Sequence, residues 1–282
     1  MLSRRNFLKK ASLSAAGSLG FASTGVAAAR SLPGLRRVTL ELPDLPNAFD
    51  GITLLQISDV HAGLYMSVDR MRRINDIVAS LPVDLIVFTG DQIDRRPIDA
   101  DMFTEGFRGI SAPLGVYGVL GNHDYYVDQG RAKSALADAG ITPLVNRSTI
   151  IERGNARLAL VGLDDLWSPA GGPDFSLLRN PSGAFRVCLC HQPQGWEAAH
   201  AAGAHLTLSG HTHGGQIALP TRNVNVARLQ TRYIAGPYRR DDAALYVSRG
   251  IGVGAVPVRV GAPPELDVIT LRSPAVSVGV AA

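Results

Sequence analysis

Five short apolar runs, each closed by a polar cluster, constrain this chain more than any other feature. ITLLQIS leads into Asp59, DLIVFTG into Asp91, VYGVLG into Asn122, FRVCLC into His191 and HLTLSG into His211. Near-continuous apolar runs of this length read as strands covered on both faces. RLALVGL, ALYVSRGIGV and ELDVITLR are further strand candidates without such a cluster. Helical patterns lie between the runs. From Ser67, a candidate cap, Met71, Ile74 and Val78 fall at helical spacing until Pro82 stops the segment. A second helix spans Gln129 to Ala139 and ends at Gly140, and a third spans Gln194 to Gly203. Strands alternating with helices predict an α/β architecture with a substantially parallel sheet.

In open α/β sheets, ligands bind beyond the carboxyl ends of the strands. Asp59-Val60-His61, Asp91 in GDQID, Asn122-His123-Asp124 in GNHD, His191, and His211-Thr212-His213 would converge there. An isolated H-x-H among glycines is open to two readings, a pair of metal ligands or two surface-loop histidines. Gly210, Gly214 and Gly215 permit the unusual dihedrals that aiming both imidazoles at one region requires. Core packing does not explain five such clusters, which hold five of the seven histidines. His200 and His205 lack this context and are assigned to structure.

The formal charge of +4 is local in origin. Arg4, Arg5, Lys9 and Lys10 lie in residues 1–29 with no acid, leaving the remainder formally neutral. With no sustained basic-aromatic stripe, the chain is expected to have no specific nucleic acid partner. Residues 1–29 carry a charged start, an Ala/Gly/Ser-rich apolar run and the small-residue pattern Ala27-Ala28-Ala29. Ser3-Arg4-Arg5-Asn6-Phe7-Leu8-Lys9 resembles the twin-arginine export signal of bacteria. The resemblance implies the twin-arginine machinery as a partner and a periplasmic or envelope location; no break in the chain argues for two domains, so residues 30–282 are expected to form one. The open alternative is an uncleaved span, the sole expected membrane contact. Cys188 and Cys190, at i and i+2 of a strand, read as small apolar core residues rather than a disulfide. Residues 220–242, with five arginines and no clean period, read as a long loop or irregular hairpin, either a solvated surface or a lid over the substrate.

D-x-H, G-D-x-x-D, G-N-H-D, a lone His and G-H-x-H, in this order over roughly residues 52–272, resemble the signature of the calcineurin-like metallophosphoesterase superfamily. GHTHGGQI and the later YVSRGIG resemble a bacterial phosphodiesterase-like branch, some members of which carry twin-arginine signals. The resemblance implies a four-layer α/β/β/α sandwich and a binuclear centre at the strand ends. Asp59, His61, Asp91 and His213 would hold one ion, and Asp91, Asn122, His191 and His211 the other, with Asp91 bridging. Mixed nitrogen and oxygen ligation suits manganese, iron or zinc. The implied reaction is hydrolysis of a phosphoester substrate, a phosphodiester above all, by a metal-bridging hydroxide. His123 is the implied general acid and Asp124 the group that orients it; Asp94 is a hydrogen-bonding residue outside the ligand set. Two other functions fit the same motifs. One is a pyrophosphatase acting on a nucleotide-linked lipid intermediate, which a greasy acyl-binding extension would favour. The other is a catalytically silent metal-binding envelope protein.

Overall fold

The computed structural model describes residues 25–179, 183–219, 224–254 and 256–274. The twin-arginine pattern lies outside them. The Ala27-Ala28-Ala29 stretch is inside, in a helical turn over residues 25–30. That turn buries Ala29, and its Gly25 carbonyl accepts the Arg259 N–H at 3.0 Å. No helix among the described residues is long and apolar enough to cross a membrane.

Two six-stranded mixed sheets form the centre. In the first, the order is β1 (Gly34–Glu41), β14 (Glu265–Arg272), β2 (Thr53–Ile57), β3 (Leu85–Thr89), β4 (Val116–Val119) and β5 (Thr142–Pro143). β2 to β5 are parallel; β14 runs antiparallel to β2 and parallel to β1. The second sheet is ordered β12 (Gly236–Arg240), β13 (Ala243–Val247), β9 (Leu206–Ser209), β8 (Phe185–Leu189), β7 (Ala156–Gly162) and β6 (Arg147–Arg153). Its four inner strands are parallel and its two edge strands antiparallel. A two-stranded ribbon, β10 (Ala218–Leu219) with β11 (Val224–Asn225), stands beside them.

Alternation along β3 shows why the strands are apolar throughout. Leu85 and Val87 face the second sheet, against Leu160, Val187, Leu189 and Leu208. Ile86 and Phe88 face the helices α1 (Val68–Ala79), α2 (Pro97–Phe107) and α4 (Gln129–Ala139), where Met71, Ile74, Phe103, Phe107 and Leu136 cover them. The outer face of the second sheet is closed by Leu178 and by Ala199 of the short α5 (Trp196–Ala201). Cys188 and Cys190 are buried and free in this layer, as core residues. The layers are therefore α/β/β/α, with both strand faces removed from water.

The helix starts and stops follow local chemistry. Ser67 Oγ accepts the Arg70 N–H at 3.3 Å, and Gly140 closes α4 with φ of 95°. α2 and the short α3 (Asn122–Val127) were not legible as helices, because apolar Ile98 and Met102 lie off the Ala100, Phe103 and Phe107 face of α2 and α3 is only six residues long. Of the two readings of residues 220–242, long loop or irregular hairpin, the structure agrees with the second: β11 pairs antiparallel with β10 and the edge strand β12 with β13, while residues 220–223 lie outside the described residues. β12 is Gly-Pro-Tyr-Arg-Arg, and an edge position tolerates both its proline and its arginines, Arg239 exposed and Arg240 half-buried.

Candidate metal centre and cleft

The parallel strands of both sheets end at one place. β2, β3 and β4 deliver Asp59, Asp91 and Asn122 from the first sheet, and β8 and β9 deliver His191 and His211 from the second. Each chain turns sharply as it leaves its strand. Asp59, His61, Asp91, His211 and His213 all adopt left-handed backbone, with φ of 48° to 69°. Asp and His enter this region more readily than most residues, yet each instance still costs on the order of 1–3 kcal/mol and persists where surrounding structure enforces it. Gly214 and Gly215 are left-handed as the motif requires. Gly210 is there for a different reason: a Cβ would collide with Ser58 and Asp59. Gly121 is likewise a close-approach glycine, its missing side chain leaving room for Asp91 and His191 Nε2.

Three groups of side chains converge closely enough to hold a cation: Asp59 with His61 and His213, His61 with Asp91 and His123, and Asp91 with His191 and His211. His213 Nε2 lies 3.4 Å from Asp59 Oδ1 and 3.1 Å from His61 Nε2. Asp91 Oδ2 stands 3.6 Å from His61 Nε2 and 3.2 Å from His191 Nε2, at the junction of the groups. Its other oxygen accepts the His123 N–H at 2.9 Å. The His191 ring donates from Nδ1 to the Thr89 carbonyl at 2.7 Å, which leaves the Nε2 lone pair facing the site. Asp59 accepts the His211 N–H at 2.9 Å, which ties the two sheets together at the site.

The donor set fits metal. His191 Nε2, His211 Nε2 and Asn122 Oδ1 are buried with no hydrogen-bond partner, a costly arrangement for three polar atoms unless a cation satisfies them. The charges agree. Burial, reinforced by the neighbouring His191, pushes the His211 imidazole down to about 3, and burial with His61 holds His213 well below its usual range, so both are neutral electron-pair donors. Burial would raise the Asp91 carboxyl, but His191 and His61 outweigh it and hold Asp91 ionised. Against its own burial, Asp91 draws the His191 imidazole up to about 10, so without metal this place attracts positive charge.

His123, at the second position of α3, belongs to the second of these groups, though the family motif places it outside the ligand set. Its Nδ1 lies 3.1 Å from the Asp94 carbonyl oxygen and 3.5 Å from the Asp94 carboxylate. Burial lowers the imidazole, but Asp94 and Asp91 together bring it up to about 9. Asp94 also stands 3.6 Å from His61 Nδ1, so one carboxylate serves two rings and is outside the ligand groups, as expected. The expectation that Asp124 orients His123 is corrected. Asp124 accepts the Gly121 N–H at 2.8 Å with one oxygen and the Ile93 N–H at 3.0 Å with the other. Both oxygens are spent on fastening the GNHD turn to the GDQID turn, and Asp94 takes the orienting position.

Some residues here were beyond sequence reading. Arg259, buried to 1 % exposure, donates to the carbonyls of Gly252 (2.9 Å), Ala262 (3.0 Å) and Arg249 (2.8 Å), and its Nη2 lies 3.2 Å from His213 Nδ1. It clamps the turn beneath His213, and nothing in VPVRVG signals that. Tyr126 and Trp167 stand over the site; Tyr126 falls one helical turn after His123 in GNHDYY, which is a usable signal, whereas Trp167 follows β7 in a stretch with no motif. His200 and His205 lie away from the groups, His205 stacked on Phe185, in agreement with the structural assignment.

A cleft of about 370 Å³ opens over Asp91, Asn122, His123, His211 and His213. Val226, Ala227 and Gln230 of the arginine-rich segment line it, but its described arginines do not. Arg232 and Arg240 pair with Glu197 on α5, and Arg239 donates to the Glu41 carbonyl. The segment is thus one wall of the cleft, with Arg232 and Arg240 turned to α5 and Arg239 to β1.

Comparisons with known proteins point to one family. The family model for calcineurin-like phosphoesterase matches residues 52–215, which include all the strand-end clusters. The chain is 32 % identical to the metallophosphoesterase YkuE of Bacillus subtilis, over 96 % of this chain and 98 % of that protein. It is 28 % identical to a metallophosphoesterase of Aquifex aeolicus, over 84 % and 91 %. It is also 28 % identical to the phosphodiesterase YaeI of Escherichia coli, over 96 % and 100 %.

Proposed function

The chain belongs to the calcineurin-like phosphoesterase family, hydrolases of phosphoric ester bonds, and on that premise we propose that it hydrolyses a singly charged phosphodiester at a binuclear metal centre. Asp59, His61, Asp91 and His213 would hold one ion, and Asp91, Asn122, His191 and His211 the other, with manganese, iron or zinc suited to the donors. Bound there, the two ions supply Lewis acidity toward the phosphate oxygens and lower the pKa of water toward neutrality. The observation that carries this reading is the position of Asp91 Oδ2, which faces His61 Nε2 and His191 Nε2 at once.

The chain's own residues supply the rest. The Thr89 carbonyl fixes the His191 tautomer, and the His211 amide fixes the Asp59 carboxylate. His123, held by Asp94, protonates the leaving oxygen. Preference for one phosphate rests on the cleft lining, which contains no lysine or arginine among the described residues. A pyrophosphate, with its added charge, would call for further cationic groups there. The test is elemental analysis followed by assay on phosphomonoesters, diesters and pyrophosphates after reconstitution with manganese, iron or zinc. Two metal equivalents and fastest turnover of diesters are expected. Inactivity on every substrate would replace this reading with that of a silent metal-binding protein.

Arg4 and Arg5 are proposed to direct export of the folded chain to the periplasm or envelope by the twin-arginine route, on the strength of SRRNFLK. Changing both to lysine is expected to retain the protein in the cytoplasm, as read by fractionation of cells. Undiminished export of the double variant would remove the proposal.

A further inference from the structure

Exposed apolar side chains gather around the cleft. Tyr126 is 67 % exposed, Trp167 57 % and Val226 49 %, and all three line the cavity; Leu229, at 88 %, projects from the same short turn as Val226. Side chains of this size leave water only when something covers them, and an apolar patch concentrated at a concave site marks what binds there.

Trp167 is also held in place. Its backbone N–H donates to Asp165 Oδ1 at 2.8 Å, and Asp165 Oδ2 accepts from Gln192 Nε2 at 2.6 Å. Gln192 Oε1 in turn accepts the Leu166 N–H at 3.1 Å, so the loop after β7 is pinned to the residue that follows His191. The indole stands edge-on to the His211 ring at 5.1 Å. On another side of the cleft Tyr126 lies 5.2 Å from the His123 ring and receives a hydrogen bond from Asn122 Nδ2 at 3.3 Å. Two aromatic faces thus flank the place where a phosphate would sit, with no described lysine or arginine between them.

We propose that Trp167 recognises an apolar, uncharged arm attached to the phosphate, so that the substrates of this site are amphiphilic phosphodiesters rather than polyanions. The proposal rests on the phosphodiesterase reading above and extends it to substrate class. An alkyl or aryl arm leaving the phosphate would lie along Trp167 and Val226 and release the water that now covers them. Tyr126 completes the wall while its hydroxyl keeps the Asn122 amide turned so that Oδ1 faces the metal groups.

The experiment uses the metal-loaded full chain and two diesters with the same leaving group, methyl 4-nitrophenyl phosphate and octyl 4-nitrophenyl phosphate, the latter below its micellar concentration. Wild type is expected to favour the octyl diester by about tenfold or more in kcat/KM, with the gain in KM. Trp167→Ala is expected to erase most of that ratio and Trp167→Phe to keep it. A second readout needs no turnover. The chain has two tryptophans, and Trp196 is buried, so fluorescence that responds to solvent reports Trp167. Octylphosphonate is expected to shift the emission to the blue where methylphosphonate does not, with the shift absent in Trp167→Phe. A wild-type ratio near one, an undiminished ratio in Trp167→Ala, or no blue shift with octylphosphonate would each overturn the proposal. A blue shift in a protein inactive on both diesters would support recognition by Trp167 while removing the phosphodiesterase reading.

Discussion

Asp91→Asn is expected to bind less than one equivalent of metal where two are expected of wild type, and to lose hydrolysis of all phosphoesters with it. The change is small in shape. Asn offers an oxygen to the His123 N–H that Asp91 Oδ1 now accepts at 2.9 Å, so the start of α3 keeps its anchor. What disappears is negative charge at the one atom that faces both His61 and His191. Two dications a few ångströms apart repel, and a shared carboxylate is the group that offsets this. Loss of an outer partner to a ligand already costs roughly 10–100-fold in metal affinity, and a bridging ligand should cost more. Elemental analysis of protein with an unchanged metal-free melting temperature is the decisive measurement. Two full equivalents with retained activity would show that Asp91 does not bridge.

The second large effect falls on rate alone. His123→Ala is expected to keep both metals and to lose roughly 10²–10⁴-fold on alkyl diesters, the contribution of a positioned general acid. On a nitrophenyl diester the loss should be smaller, because that leaving group is stable as an anion. Asp94, whose carbonyl and carboxylate both approach His123 Nδ1, is the residue through which the ring is aimed. An equal loss on both substrates would assign His123 to stabilising charge on the phosphoryl oxygens instead. The same pair of substrates therefore tells proton transfer from electrostatic support.

Much of the site was legible because strand ends are local events. An apolar run that must lie between two covered faces stops where Asp59, Asp91, Asn122, His191 or His211 begins, and polar groups with metal-ligand chemistry at five such stops need a shared destination. The layer order came with the family motif rather than with periodicity, since a strand buried on both faces reads the same in one sheet as in two. α1 was clear where α2 and α3 were not, since Ile98 and Met102 add apolar residues off the buried face of α2 and α3 has only six residues. The edge strand β12 was hidden by its proline and arginines, because an edge buries only one side.

What the sequence by itself determined is the inventory of donors, the order in which strands deliver them and the glycines that let the chain turn between them. Only the tertiary structure decided which partner each donor meets. Asp124 and Asp94 lie two and three residues from candidate ligands, and either carboxylate can reach an imidazole in principle. The packing of the GNHD turn on the GDQID turn spends both Asp124 oxygens on backbone amides and leaves Asp94 beside His123. Arg259 and Trp167 reach His213 and His211 from segments 46 and 44 residues away in the chain, through contacts that no local spacing records. The physical reason is range: backbone dihedrals and periodicity are set by near neighbours, whereas hydrogen-bond partners and the walls of a cleft are set by which segments the fold brings together.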